Sequence, residues 1–127
     1  MITLKKNKGR FKMLKFTALA ISALMSSGAL ADYYGGDDIA KWSDALMRVK
    51  ANTAEATDFA DVGKLRGLSI GVHDVFEGSS VCSPNNATNG QIVDTVVLYV
   101  RNHPERRAEN ASKLAYEALS SAYPCRK

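Results

Sequence analysis

The chain has 127 residues, of which 46% are hydrophobic and 24% are charged, with 17 basic and 13 acidic side chains. This length is enough for one small domain and excludes a multidomain protein. The net charge of +4 would ordinarily suggest a nucleic acid or an anionic membrane as a partner. The basic residues are unevenly distributed, however, and their positions decide what the charge means.

The first 31 residues have the pattern of an export signal. Six basic residues open the segment, an apolar stretch runs from Phe16 to Leu30, and Ala29-Leu30-Ala31 supplies a small-x-small cleavage site. A membrane anchor is the competing interpretation, but the apolar stretch is shorter than the roughly 20 residues that a spanning helix needs. We therefore expect cleavage after Ala31 and a periplasmic mature protein that begins at Asp32.

Removal of this leader reverses the charge argument. Six of the 17 basic residues lie in the leader and none of the 13 acidic residues do, so residues 32–127 contain 11 basic and 13 acidic side chains. The mature protein is thus slightly acidic. Neither a nucleic acid nor a membrane is then expected as a partner of the single domain at 32–127.

Both cysteines, Cys82 and Cys125, lie after the leader. Export carries the chain to an oxidising compartment, where a disulfide between them is the expected state. A metal site would need further cysteine or histidine residues nearby, and a catalytic thiol would need a base within reach. The disulfide is valuable to so small a domain because the hydrophobic core alone is marginal.

Apolar residues at helical spacing predict two helices in the first half of the domain. The first is expected to be capped by Asp37 or Asp38 and to run to about Lys50, and the second to run from about Thr57 to Phe76. The apolar stripe of the first helix is Ile39, Trp42, Leu46 and Val49. The apolar positions of the second are Phe59, Val62, Leu65, Leu68, Val72, Val75 and Phe76.

The second helix also carries Gly63, Gly67 and Gly71 at four-residue spacing. Each glycine weakens a helix by about 1 kcal/mol relative to alanine, so their alignment favours close approach of another backbone. Local flexibility is the alternative explanation.

Residues 77–89 are predicted to form a loop, after which Thr88 and Gln91 make a capping box that starts a third helix. This helix is rich in β-branched residues, yet their spacing is helical, so we predict a helix and not a strand. His103-Pro104 ends it, and a fourth helix runs from near 107–110 to Pro124. The expected fold is an all-α bundle of four to five helices with one disulfide.

Residues 66–125 resemble the Rap/Tai family of type VI secretion amidase immunity proteins. The resemblance rests on Gly67, Gly71-Val72, Asp74, Cys82, Pro84, Thr88, Gly90-Gln91, Val96-Val97, Tyr99, His103-Pro104-Glu105, Arg107, Ala111, Ala118-Leu119 and Pro124-Cys125. It implies an all-helical periplasmic protein, commonly a homodimer, that blocks the active site of a peptidoglycan amidase effector, partly with a protruding loop.

The residues themselves indicate binding and not catalysis. His73 and Asp74 are adjacent, but neighbours on a helix point about 100° apart, so we expect them not to orient each other. His103 is expected to have a capping or turn role. We predict no catalytic residues, no metal site and no cofactor.

The candidate partner-binding residues lie in or beside the polar loop: Glu77, Ser83, Asn85, Asn86 and Asn89. A loop rich in Ser and Asn offers adaptable hydrogen bonds to a preformed cleft, and the cystine would fix where the loop emerges. The alternative function is a small HdeA-like periplasmic chaperone, whose dimer would open near pH 2 to 3 and bind unfolded clients.

Overall fold

A computed structural model describes residues 34–127, so the predicted leader and its cleavage site lie outside the described residues. This part of the chain forms four α-helices. They are α1 (Gly36–Lys50), α2 (Ala56–Phe76), α3 (Asn89–Asn102) and α4 (Ala111–Ala122), with a short 3₁₀ turn at Pro104–Arg106. No strand occurs among residues 34–127, and the predicted all-α bundle is confirmed.

The helix starts follow from local capping chemistry. Thr88 caps α3 as predicted: its hydroxyl accepts the Gln91 N–H, and the Gln91 side chain accepts the Thr88 N–H at 2.9 Å. The start of α1 differs from the prediction, because Gly35 is the N-cap and Asp37 and Asp38 lie inside the first turn. The Asp38 carboxylate still helps, since it accepts the Gly35 N–H at 2.8 Å.

The hydrophobic core is built from the inward faces of all four helices. The β-branched residues of α3 confirm the helical prediction, because four of them share the buried face. The core consists of Ile39, Trp42, Ala45, Leu46, Val62, Leu65, Val81, Ile92, Val93, Val96, Val100, Ala111, Leu114, Ala115, Ala118 and Leu119. Val81 is the exception in this set, since it comes from the connection between α2 and α3 and is fully buried there.

The start of α1 is anchored against the segment that precedes α4. The Gly36 N–H donates to the Glu109 carbonyl and the Asp37 N–H to the Arg107 carbonyl, both at 3.0 Å. A Cβ at Gly36 would lie 2.7 Å from Leu114 Cδ1 and 2.8 Å from the Arg107 Cα, so only glycine fits here without movement.

The three glycines of α2 lie in a different environment. A Cβ on Gly63, Gly67 or Gly71 would meet nothing within 4 Å, so the predicted close approach of another backbone is wrong within the described chain. Their face is open, and Phe59 and Val75 at its two ends are 62% and 73% exposed.

No helix in residues 34–127 combines the length and the hydropathy needed to cross a membrane.

Candidate functional site

The connection between α2 and α3, residues 77–88, is hereafter called the binding loop because four of the five predicted partner-binding residues lie in it. Its first part folds back on the end of α2: the Phe76 carbonyl accepts the N–H groups of Ser79, Ser80 and Val81, each at 3.1 Å. Gly78 has a φ of +80° and donates to the Val81 carbonyl at 2.8 Å. The left-handed backbone at Gly78 and the buried Val81 side chain together fix the start of the loop.

The predicted disulfide between Cys82 and Cys125 is confirmed. The two Cα atoms are 4.9 Å apart, and the Cys82 N–H donates to the Tyr123 carbonyl at 2.8 Å. The middle of the binding loop is therefore attached both covalently and by a hydrogen bond to the segment that follows α4.

A cluster of four polar side chains joins the loop to α2 directly after Cys82. His73 Nε2 lies 2.9 Å from Ser83 Oγ and 2.9 Å from Glu77 Oε2. The Ser83 hydroxyl donates to Glu77 Oε2 at 3.0 Å, and the Ser83 N–H donates to the same oxygen at 3.3 Å. On the other side of the ring, His73 Nδ1 lies 3.0 Å from Asp74 Oδ1.

The contact between His73 and Asp74 contradicts the prediction that these neighbours cannot orient each other. The angle between successive side chains on a helix limits rigid groups, but the exposed Asp74 carboxylate bends back to reach the ring. The sequence pattern could not show this, because the ring is held in place by Ser83 and Glu77, which come from the returning loop.

The order Ser83, His73, Asp74 resembles a hydrolytic triad, but Glu77 interrupts the pattern. In a triad the imidazole accepts the serine proton, whereas here the Ser83 hydroxyl donates to Glu77 Oε2 at 3.0 Å. The same oxygen lies 2.9 Å from His73 Nε2. The cluster therefore holds the loop against the end of α2.

The tip of the binding loop is a polar turn. The Ala87 N–H donates to the Pro84 carbonyl at 2.8 Å, and the two residues between them, Asn85 and Asn86, are exposed. Asn89 is exposed at the first position of α3. The structure thus brings Glu77 and Ser83 into contact, places Asn85 and Asn86 together at the tip, and sets Asn89 apart at the start of the helix.

A cleft of about 360 Å³ lies beside the loop tip, where α3 meets the chain after α4. It is lined by Pro84, Asn86, Ala87, Gln91, Asp94, Thr95, Leu98 and Tyr123. Leu98 is 61% exposed, and Thr95 Oγ1 lies 3.1 Å from the Tyr123 hydroxyl. Sequence reasoning missed this cleft. Its one signal was Leu98, a large apolar residue off the buried stripe of α3.

A charged network fixes the turn between α3 and α4. Arg106 binds Glu109 at 2.7 Å and Glu117 at 2.6 Å. Arg106 and Lys113 lower the pKa of Glu109 to about 2, and the two carboxylates raise the pKa of Arg106. His103 Nδ1 lies 2.8 Å from the Tyr99 carbonyl, which confirms the predicted turn role.

Within residues 34–127, no group of three or more histidine, cysteine or acidic side chains is arranged to hold a metal ion.

The family model described as Rap1a immunity proteins matches residues 36–125, which is most of the chain and all four helices. A search of curated proteins found no significant match.

Proposed function

Because the chain belongs to the Rap1a immunity protein family, we propose that it is a periplasmic inhibitor that binds a type VI secretion peptidoglycan amidase and so protects the producing cell. The single observation that supports this proposal best is the binding loop. It presents two exposed asparagines on a backbone that is attached to the rest of the domain at both ends.

Attachment of the loop matters because binding costs the entropy of every segment that becomes ordered. Cys82 is bonded to Cys125 at the middle of the loop, and Thr88 is the N-cap of α3 at its end. Only five residues, from Ser83 to Ala87, lie between the disulfide and the capped helix start. A tip this short can enter the cleft of an enzyme with little loss of freedom.

The contact surface extends from the tip into the adjacent cleft. Asn86 and Pro84 line that cleft together with Leu98 and Tyr123, so a partner that engages the tip also covers these two apolar side chains. Burial of an exposed leucine contributes roughly 1.5–3 kcal/mol, which polar contacts at the tip alone would not supply. Asn85, Asn86 and Ser83 set the register, and Leu98 adds affinity.

A periplasmic location is supported by the disulfide, which forms and persists in oxidising compartments. The export signal proposed for residues 1–31 agrees with it. We also propose a homodimer, as the resemblance implies, with the open face of α2 between Phe59 and Val75 as its contact surface.

The loop tip gives the sharpest test. The variant N85W/N86K should abolish inhibition by steric and charge conflict in the enzyme cleft, while its melting temperature stays within about 2 °C of the wild type because both side chains are exposed. The assay is growth rescue when a candidate type VI secretion peptidoglycan amidase is co-expressed in the periplasm. Asn102→Lys, an exposed asparagine at the far end of α3, is the matched control and should still rescue.

Two results would contradict the proposal in different ways. Failure of the wild-type protein to rescue growth would reject the immunity function towards that amidase. Full rescue by N85W/N86K would keep the function but move the contact surface away from the loop tip.

A further inference from the structure

His73 joins α2 to the part of the binding loop beyond the backbone hydrogen bonds that Phe76 accepts from residues 79–81. It lies in the last turn of α2, its side chain is only 16% exposed, and it contacts Asp74, Glu77 and Ser83. The ring therefore contacts both the end of the helix and the returning loop.

The Glu77 carboxylate connects His73 to the loop. One of its oxygens, Oε2, lies within 3.3 Å of His73 Nε2, the Ser83 hydroxyl and the Ser83 N–H. Ser83 is the first residue after the disulfide, so this oxygen fixes the direction in which the chain leaves Cys82 towards the tip. The side chains of Asn85 and Asn86 form no hydrogen bond within residues 34–127, so they do not fix the direction of the chain.

We propose that His73 is a positioning residue that holds the binding loop in its inhibitory shape through Glu77 and Ser83. The effect on binding rests on the proposed function, whereas the positioning of the loop does not. The groups that face the ring are Asp74 on α2, Glu77 at the loop start and Ser83 in the loop. The ring therefore bridges the end of α2 and the first loop residue after the disulfide.

Hydrogen exchange on the free protein tests the mechanism directly. His73→Phe keeps a ring of similar size but removes both nitrogens, and it should lower the protection of the Ser83 amide roughly tenfold. His103→Phe removes the other histidine and should leave the protection of the Ser83 amide unchanged. If His73→Phe fails to fold, Ser83→Ala is a second variant that leaves α2 unchanged. It should lower the protection of the amides that follow residue 83 in the loop.

The binding consequence is measured separately, with the amidase against which the wild-type protein is tested for growth rescue as the probe. His73→Phe should raise its Kd roughly tenfold at unchanged melting temperature. Unchanged protection of the Ser83 amide in His73→Phe, unchanged protection of the following loop amides in Ser83→Ala, or an unchanged Kd overturns the proposal. A wild-type protein that binds no amidase but whose loop still loosens in His73→Phe rejects the proposed function and supports the positioning role of His73.

Discussion

The two ends of α2 are joined to their neighbours in different ways. At the start, the five residues 51–55 connect α1 to α2, and Arg48 spans the turn to bind the buried Asp58 carboxylate through two hydrogen bonds of 2.7 and 3.0 Å. At the end, the binding loop of twelve residues is attached by a disulfide and by His73. At both ends a nitrogen-containing side chain contacts a carboxylate: Arg48 binds Asp58, and His73 contacts Glu77.

The difference lies in what surrounds each attachment. Asp58 is only 4% exposed, so the Arg48 contact closes a short turn against the scaffold. The loop attached by His73 has an exposed tip. The start of α2 is thus a fixed joint of the scaffold, whereas the joint at its end lies next to the residues proposed to bind the effector.

The largest change in this comparison should come from removing the disulfide. The variant C82S/C125S should lose about 4 kcal/mol of unfolding free energy, because the bond closes a 43-residue separation in the unfolded chain. Chemical denaturation with and without reductant measures this loss, and reductant should not affect the variant. Hydrogen exchange should rise in the binding loop and stay unchanged at residues 51–55. Equal loosening at both ends would show that the two joints are not independent.

The sequence predicted the scaffold well because its signals are local. The capping box at Thr88 and Gln91, the helical spacing in α3 and the pairing of two cysteines each depend on residues near in sequence or few in number. The cleft beside Leu98 and the contacts of His73 depend on how the loop returns to the helices. No pattern within one segment contains that information.

Lowering the pH should distinguish the two joints through a smaller effect on stability. Arg48 and the Glu55 N–H lower the pKa of Asp58 from 3.8 to about 2. A carboxyl group with a lowered folded-state pKa stabilises the protein above its unfolded-state pKa, and this contribution is lost as the pH falls through the folded-state value. The melting-temperature difference between wild type and Asp58→Asn should therefore be several degrees and constant above about pH 5, and should shrink towards pH 2. Asp94→Asn removes only an exposed contact to Lys50 and should show a much smaller difference. A difference that persists at pH 2 would contradict this account.

A substitution in the middle of α2, between the two joints, should raise the free energy of unfolding. This effect should be the smallest of those compared. Gly67→Ala adds a methyl group where nothing lies within 4 Å, so it should stabilise the domain by about 0.5–1 kcal/mol through helix propensity. Gly36→Ala is the matched control in a crowded position and should destabilise the domain by about 1–3 kcal/mol.

Sedimentation of Gly67→Ala tests the homodimer. If a second copy packs on this face, Gly67→Ala should weaken dimerisation at high concentration while raising the melting temperature of the dilute protein. Loss of stability in the dilute protein would mean that Gly67 has a contact that residues 34–127 do not show, and the open face would then have to be reassigned.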